Sequence, residues 1–139
     1  MRILVVDDDA CLARAIQRRL KACEVSVELD ATNTAARVAA AELIREPFDV
    51  VLCDLRMPVM NGIVVLADLR ARAMPPLLIL MSGDCGLDLV QVADAVLNKP
   101  FGTEQLLDAI ERARAVRATT QSRRTRKLAT VTNEHQVSG

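Results

Sequence analysis

The chain has 139 residues, a length typical of a single domain. Apolar residues make up 51% of it and aromatic residues only 1%, so we expect a globular core, whereas an aromatic platform for stacking single-stranded nucleic acid is excluded. The formal net charge of +0 hides an acidic body, with 14 basic and 17 acidic residues in 1–117, and a basic end, with 4 basic and 1 acidic in 118–139.

The first third of the chain alternates between strand-like and helix-like segments. Residues 3–6 form a β-branched run that ends in acids, which is typical of a strand buried on both faces. Asp9 is predicted to cap a helix over 10–21, where apolar residues recur at helical spacing. Residues 25–29 alternate as an edge strand does, and 32–45 are predicted to form a second helix.

The same alternation continues through the rest of the body. Short apolar runs predict strands at 49–53, 77–81 and 95–97. Helical spacing predicts helices at 63–72 and from 103 to about 117. This β-α-β-α order is typical of an α/β fold with a parallel sheet and helices on both faces.

The C-terminal segment 118–139 has few apolar residues and no sustained period, so we predict a flexible basic tail or linker there. It contains no helix-turn-helix pattern, and direct DNA binding is therefore not expected. The longest apolar runs are far shorter than the ~20 residues of a membrane span, and no signal peptide precedes the first acids. We therefore expect a cytoplasmic protein that does not contact a membrane.

Polar residues directly follow the predicted buried strands. Asp7 and Asp8 follow the first strand, and Asp54, Ser82 and Lys99 follow the third, fourth and fifth. Ligands of open parallel sheets bind beyond the carboxyl ends of the strands, so these side chains are expected to converge. Clustered carboxylates suit Mg²⁺, and a carboxylate with a cation, an ammonium and a hydroxyl nearby suits phosphoryl transfer.

Four motifs resemble those of the receiver domain of bacterial response regulators, over about residues 1–117. They are ILVVDDD at 3–9, VVLCDLRMPVMNG at 50–62, LILMSGD at 78–84 and LNKPF at 97–101. The resemblance implies a flavodoxin-like, doubly wound, five-stranded parallel sheet of order 2-1-3-4-5, an order for which a chemotaxis regulator of this family is a standard example.

The resemblance also implies a role for each site residue. Asp54 would be the phosphoacceptor, and Ser82 and Lys99 would bind the phosphoryl group. The Mg²⁺ ligands would be Asp7, Asp8, Asp54 and the backbone carbonyl of Arg56. The phosphoryl donor would be a sensor histidine kinase or a histidine phosphotransfer protein of a two-component system or phosphorelay. Phosphorylation would switch the interaction with an unidentified output protein, with a homodimer possible. Catalysis would be limited to self-phosphorylation and autodephosphorylation, so the chain would not be an enzyme in the usual sense.

Two departures from the family pattern leave a second function open. The position three residues before Lys99, often aromatic in receiver domains, is Val96, and only 16 residues separate Ser82 from Lys99. The fourth helix is therefore predicted to be short, over 87–92 at most. These departures favour the alternative of a receiver-fold interaction module whose output is altered or independent of phosphorylation. An aspartyl-phosphate hydrolase of another α/β family is disfavoured, because it would need an Asp where Arg56 stands.

Overall fold

A computed structural model of the chain describes residues 1–21, 23–28, 47–57, 61–83 and 92–136. Strands and helices succeed one another along these residues. They are β1 (Arg2–Val6), α1 (Ala10–Arg19), β2 (Glu24–Glu28), β3 (Val50–Asp54), α2 (Gly62–Arg70), β4 (Leu77–Ser82), β5 (Ala95–Asn98) and α3 (Thr103–Gln136). The predicted helix over 32–45 and residues 87–91 of the predicted helix over 87–92 lie outside the described residues.

The strands form one parallel sheet in the order β2-β1-β3-β4-β5. The predicted α/β class with a parallel sheet is therefore confirmed. The chain builds outward from β1 in both directions, to β2 on one side and to β3 on the other. The carboxyl ends of β1 and β3 therefore flank the switch point, where parallel sheets of this type bind ligands.

Both faces of the sheet are covered, because the central strands contribute alternate side chains to two separate cores. One core packs the sheet against α1 and α3 and includes Ile3, Val5, Leu52, Ile79 and Ile110. The other core packs the sheet against α2 and includes Leu4, Val51, Cys53, Leu66 and Leu80. Burial on both faces is the reason that β1, β3 and β4 read as continuous apolar runs in the sequence.

Two short polar side chains set the beginnings of helices beside the sheet's carboxyl edge. The Asp9 carboxylate accepts hydrogen bonds from the backbone N–H groups of Cys11 at 2.9 Å and Leu12 at 3.2 Å, so its predicted capping role is confirmed. Asn61 caps α2 in the same way, since its side-chain oxygen accepts from the backbone N–H of Ile63 at 2.8 Å. Both caps satisfy backbone donors that a helix start leaves unpaired.

The last helix runs beyond its predicted end near 117, because α3 continues without a break from Thr103 to Gln136. That residues 118–139 act as a flexible tail or linker stays a prediction. No Gly or Pro interrupts this stretch, and Ala, Arg, Gln and Lys are good helix formers. The missing apolar period agrees with the exposure of residues 118–130, which bury no face of the helix. The division of the chain into a domain and a tail at residue 117 stays a prediction.

A buried ion pair fixes α3 to the amino edge of the sheet. The Asp94 carboxylate, 1% exposed, receives two hydrogen bonds from the Arg117 guanidinium, at 2.5 and 3.2 Å. It also accepts from the Arg70 side chain at 3.2 Å and from the Leu78 backbone N–H at 2.8 Å. Arg117 in turn donates to the carbonyls of the two prolines that precede β4, at 3.0 and 2.9 Å. The position of Arg117 on α3 is thus fixed relative to β4 and β5.

None of the helices in the part of the chain that is described is long and apolar enough to cross a lipid bilayer.

Candidate functional site

The residues predicted from the strand ends lie along one edge of the sheet. Asp7 directly follows β1, Asp54 is the last residue of β3, Ser82 is the last of β4 and Lys99 directly follows β5. Because all strands are parallel, their carboxyl ends share that edge. Asp7 and Asp54 flank the switch point between β1 and β3, so the sheet topology puts these side chains together.

Lys99 joins the two buried carboxylates of the site. Its Nζ lies 2.9 Å from Oδ2 of Asp7 and 3.0 Å from Oδ1 of Asp54, and donates a hydrogen bond to each. The Lys99-Pro100 peptide that follows is cis. The other oxygen of Asp54, Oδ2, accepts no hydrogen bond from the described residues. One carboxylate oxygen is thus fixed by an ammonium, while its partner remains available for chemistry.

Burial and charge act in opposite directions on the protonation of this pair. Burial raises the pKa of Asp7 above 3.8, although the Asp9 backbone N–H, at 2.8 Å from Oδ1, and Lys99 both oppose the change. Burial lowers the pKa of Lys99, but the hydrogen bonds and charges of Asp7 and Asp54 outweigh it and raise that pKa above 10.5. Lys99 therefore stays protonated and positively charged. For Asp7, burial makes the charged carboxylate less favourable than it is in water.

A third carboxylate makes the site a candidate cation site. One carboxylate oxygen from each of Asp7, Asp8 and Asp54 can lie within 4.8 Å of the others. Asp8 is exposed, whereas Asp7 and Asp54 are 1% and 7% exposed. One ammonium does not balance three negative charges, and hard oxygen ligands beside open solvent suit a divalent cation that keeps several waters. The donor set therefore fits Mg²⁺. Arg56 lies on the loop after Asp54, with an exposed side chain, and the role of its carbonyl as a ligand stays a prediction.

Ser82 and Val96 lie where the sequence predicts them. Ser82 is 2% exposed, and its backbone carbonyl accepts from the Lys99 N–H at 2.7 Å. Since Met81 pairs with Asp54, Ser82 extends one residue beyond Asp54 along the neighbouring strand. Val96 is half-buried in β5, opposite Leu80. Ser82 is thus buried at the end of the strand next to the one that carries Asp54, and Val96 lies in the strand that leads to Lys99.

Gly62 supports the site in a way that sequence reasoning missed. The Asn61-Gly62 pair reads as a turn, but a Cβ at Gly62 would lie 2.0 Å from the carbonyl oxygen of Asp54 and 2.9 Å from its carbonyl carbon. The first residue of α2 therefore packs directly on the backbone that carries Asp54. In the sequence, this contact is indicated only by a glycine at the predicted start of a helix, a position that most other residue types could also occupy.

Cys53, next to Asp54, is held as a buried thiol. It is fully buried, and burial together with the negative charges of Asp54 and Asp7 raises its pKa far above the ordinary range. Its thiol therefore stays neutral and acts as a small apolar side chain in the core next to α2.

Comparison with known proteins agrees with this geometry. The family model of the response regulator receiver domain matches residues 3–111 of the sequence. This chain belongs to the response regulator receiver family. Among solved structures, the receiver domain resembles the chemotaxis response regulator CheY4 of Vibrio cholerae, with a TM-score of 0.66 and 26% identity over 81% of this chain and 97% of that one.

Curated relatives of the receiver domain are regulators of larger size. This chain is 36% identical to the transcriptional regulatory protein KdpE of Mycobacterium tuberculosis, over 80% of this chain and 50% of that protein. It is 39% identical to the DNA-binding response regulator MtrA of the same organism over 76% of this chain and 47% of that protein. The receiver domain thus spans about half the length of these relatives.

Proposed function

We propose that this receiver domain accepts a phosphoryl group on Asp54 as part of a two-component system or phosphorelay. The observation that carries the proposal is the Lys99 ammonium, which binds one Asp54 oxygen at 3.0 Å while the other oxygen has no hydrogen-bond donor among the described residues. A carboxylate held in this way is oriented as a nucleophile at the edge of the sheet. Family membership supports the same role.

In the proposed reaction, Oδ2 of Asp54 attacks the phosphorus of a phosphohistidine. An O–P bond forms, the N–P bond breaks, and the imidazole leaves and takes up a proton. Lys99 stabilises negative charge on the transferred group, because its ammonium already lies at the Asp54 carboxylate. The Ser82 hydroxyl, buried at the end of the next strand, would donate a hydrogen bond to a phosphoryl oxygen. Later hydrolysis by water would return Asp54 to its carboxylate.

The acidic cluster would hold Mg²⁺ during this reaction. Asp7, Asp8, Asp54 and the Arg56 carbonyl are the proposed ligands, and one carboxylate oxygen from each of the three aspartates lies within 4.8 Å of the others. A bound Mg²⁺ neutralises charge on the transferring phosphoryl group. Asp7 then orients the site from both of its oxygens, one of which accepts from Asp9 and the other from Lys99.

The proposed partners follow from this role. The donor would be a sensor histidine kinase or a histidine phosphotransfer protein, and the chain would act in the cytoplasm. The chain would catalyse only its own phosphorylation and dephosphorylation. Its output would be a protein that distinguishes the two states, through a population shift between conformations. Because the chain spans only about half of KdpE and MtrA, the activity that their names describe is not carried over.

One observation keeps a second candidate function in view. Val96 lies three residues before Lys99, at a position where the family often has an aromatic side chain. Valine lacks both the ring and the polar tip of a tyrosine. A receiver-fold interaction module without a phosphorylation cycle would tolerate that change. Calorimetric titration with Mg²⁺ separates the two, because a site without the cycle has no need to bind the ion.

Phosphoryl transfer to variants of the site tests the main proposal. We expect the wild-type chain to take labelled phosphate from a small acyl phosphate or a phosphohistidine protein only when Mg²⁺ is present. Asp54→Asn should lose the label, and Asp68→Asn, which changes an exposed carboxylate on α2, should keep it. An Asp54→Asn chain that gains the same label would refute the proposal.

A further inference from the structure

The C-terminal part of α3 leaves the domain as an exposed helix. Beyond Arg117, which is fixed by Asp94 at the amino edge of the sheet, residues 118–130 are exposed along their whole length. The helix continues to Gln136, so this extension spans about 28 Å at 1.5 Å per residue. We refer to residues 118–130 as the basic arm.

The charge of the arm is not balanced within the helix. Residues 112–133 contain seven basic residues and no acidic residue. The first three of these are paired, Arg112 with Asp108 at 2.9 Å, Arg114 with Glu111 at 3.9 Å and Arg117 with Asp94. The other four form no ion pair with any residue that the structure describes. They are Arg123, Arg124, Arg126 and Lys127.

Helix stability does not account for this charge pattern. Arg123 has Arg126 and Lys127 three and four residues further on, and like charges at these spacings destabilise a helix. Interaction with the helix dipole falls off within the last turn, whereas Lys127 lies more than two turns before Gln136. A helix that served only as a solvated spacer would gain from acidic partners at these positions, and none is present.

The distribution of the four charges around the helix selects the kind of partner. With about 100° per residue, they cover an arc of about 160°, so the charged side chains point toward both sides of one helix face. The arm is exposed and about 10–12 Å wide, and the major groove of duplex DNA is about 12 Å wide with phosphates on both walls. Leu128 is the one large apolar residue in the arm, so the arm lacks the apolar face that binding to a membrane surface requires.

We propose that the basic arm binds the phosphate backbone of duplex nucleic acid, without reading its sequence. The acidic site does not oppose this contact. Arg117 bonds to the prolines before β4, so the arm leaves from the amino edge of the sheet, whereas Asp7, Asp8 and Asp54 lie at the carboxyl edge. Binding through phosphates is also consistent with the absence of a helix-turn-helix pattern.

Fluorescence anisotropy of a labelled 20-base-pair DNA duplex with the full, unphosphorylated chain tests the proposal. Four phosphate contacts predict that log affinity falls with log salt concentration with a slope of about −3.6, so affinity drops about 150-fold between 50 and 200 mM salt. Replacing Arg123, Arg124, Arg126 and Lys127 together by Gln should abolish this binding. Circular dichroism checks that the helix remains.

A matched control removes the same number of charges elsewhere. Arg14, Arg18, Arg112 and Arg114 are exposed, and their joint replacement by Gln should leave the slope unchanged. No binding at 50 mM salt, or equal loss in both variants, would overturn the proposal. So would equal affinity for poly-glutamate or phosphatidylserine vesicles, which would indicate attraction to any polyanion. None of these outcomes depends on phosphorylation, so the proposed function stands or falls separately.

Discussion

Replacement of Gly62 by Ala is the change that tests most closely how the fold supports Asp54. The added Cβ would lie 2.0 Å from the Asp54 carbonyl oxygen and 3.1 Å from the Cα of Leu55. A carbon and an oxygen that are not bonded normally lie more than 3 Å apart, so α2 or the end of β3 must shift by about 1 Å. Every contacted atom belongs to the backbone and therefore cannot simply rotate away.

We expect Gly62→Ala to lower the free energy of unfolding by about 1–3 kcal/mol, the usual cost of overpacking, less a small gain from the better helix former. Because a misplacement of about 1 Å at a reacting group can cost about 100-fold in rate, phosphorylation of Asp54 should slow by up to that factor. Urea unfolding and a time course of labelling from a small acyl phosphate measure the two effects.

Gly83→Ala is the matched control, because a Cβ there meets nothing within 4 Å although Gly83 follows Ser82 directly. It should change stability by less than about 0.5 kcal/mol, and the phosphorylation rate should remain close to that of the wild type. If Gly62→Ala matched this control in both stability and rate, the close approach of α2 to the Asp54 backbone would not constrain the site.

Three further predictions concern the ion pairs and the output. Arg117→Met should lower the free energy of unfolding by about 3 kcal/mol, because it removes the Arg117 ion pair from the buried Asp94. Arg112→Met breaks an exposed ion pair and should lower it by less than about 0.5 kcal/mol in the same urea assay. Equal effects would contradict the role of the buried pair. Asp7→Asn should raise the free energy of unfolding at neutral pH in EDTA, because folding raises the pKa of Asp7 and its charged form therefore destabilises the folded chain. This gain in stability should disappear as the pH falls through the raised pKa towards 3.8. A lower free energy of unfolding at neutral pH would count against this reasoning. In amide exchange with and without a fluoroberyllate mimic of the acyl phosphate, we expect the changes to lie mainly outside residues 85–101, because Val96 lacks the ring of the usual aromatic switch. Changes concentrated in 85–101 would contradict this expectation and show that the signal leaves through the segment that contains Val96.

The convergence of the site residues could be predicted from the sequence, because each follows a short apolar run that ends abruptly. Asp7 after 3–6 and Asp54 after 49–53 must share an edge once the strands are parallel. What could not be predicted is how each charge is satisfied. That Lys99 contacts both Asp7 and Asp54, and that Gly62 touches the Asp54 backbone, depends on distances between segments far apart in the chain.

The end of the chain shows a different limit. A missing apolar period agrees with the exposure of residues 118–130, but it does not predict that they lack structure. Once Arg117 and the buried face of α3 have nucleated the helix, each added residue needs only a favourable propagation step. Asp94 gave no sequence signal either, since its partner Arg117 lies 23 residues further on and the pair forms only in the folded chain.

The central claim is that Asp54 carries the phosphoryl group, and chemical trapping tests it most directly. Borohydride reduces an aspartyl phosphate to homoserine, which peptide mass spectrometry locates to a single residue. After incubation with Mg²⁺ and an acyl phosphate or a phosphohistidine donor, homoserine is predicted at position 54. Conversion of Asp7 or Asp8 instead, or no conversion in a chain that binds Mg²⁺, would contradict the account.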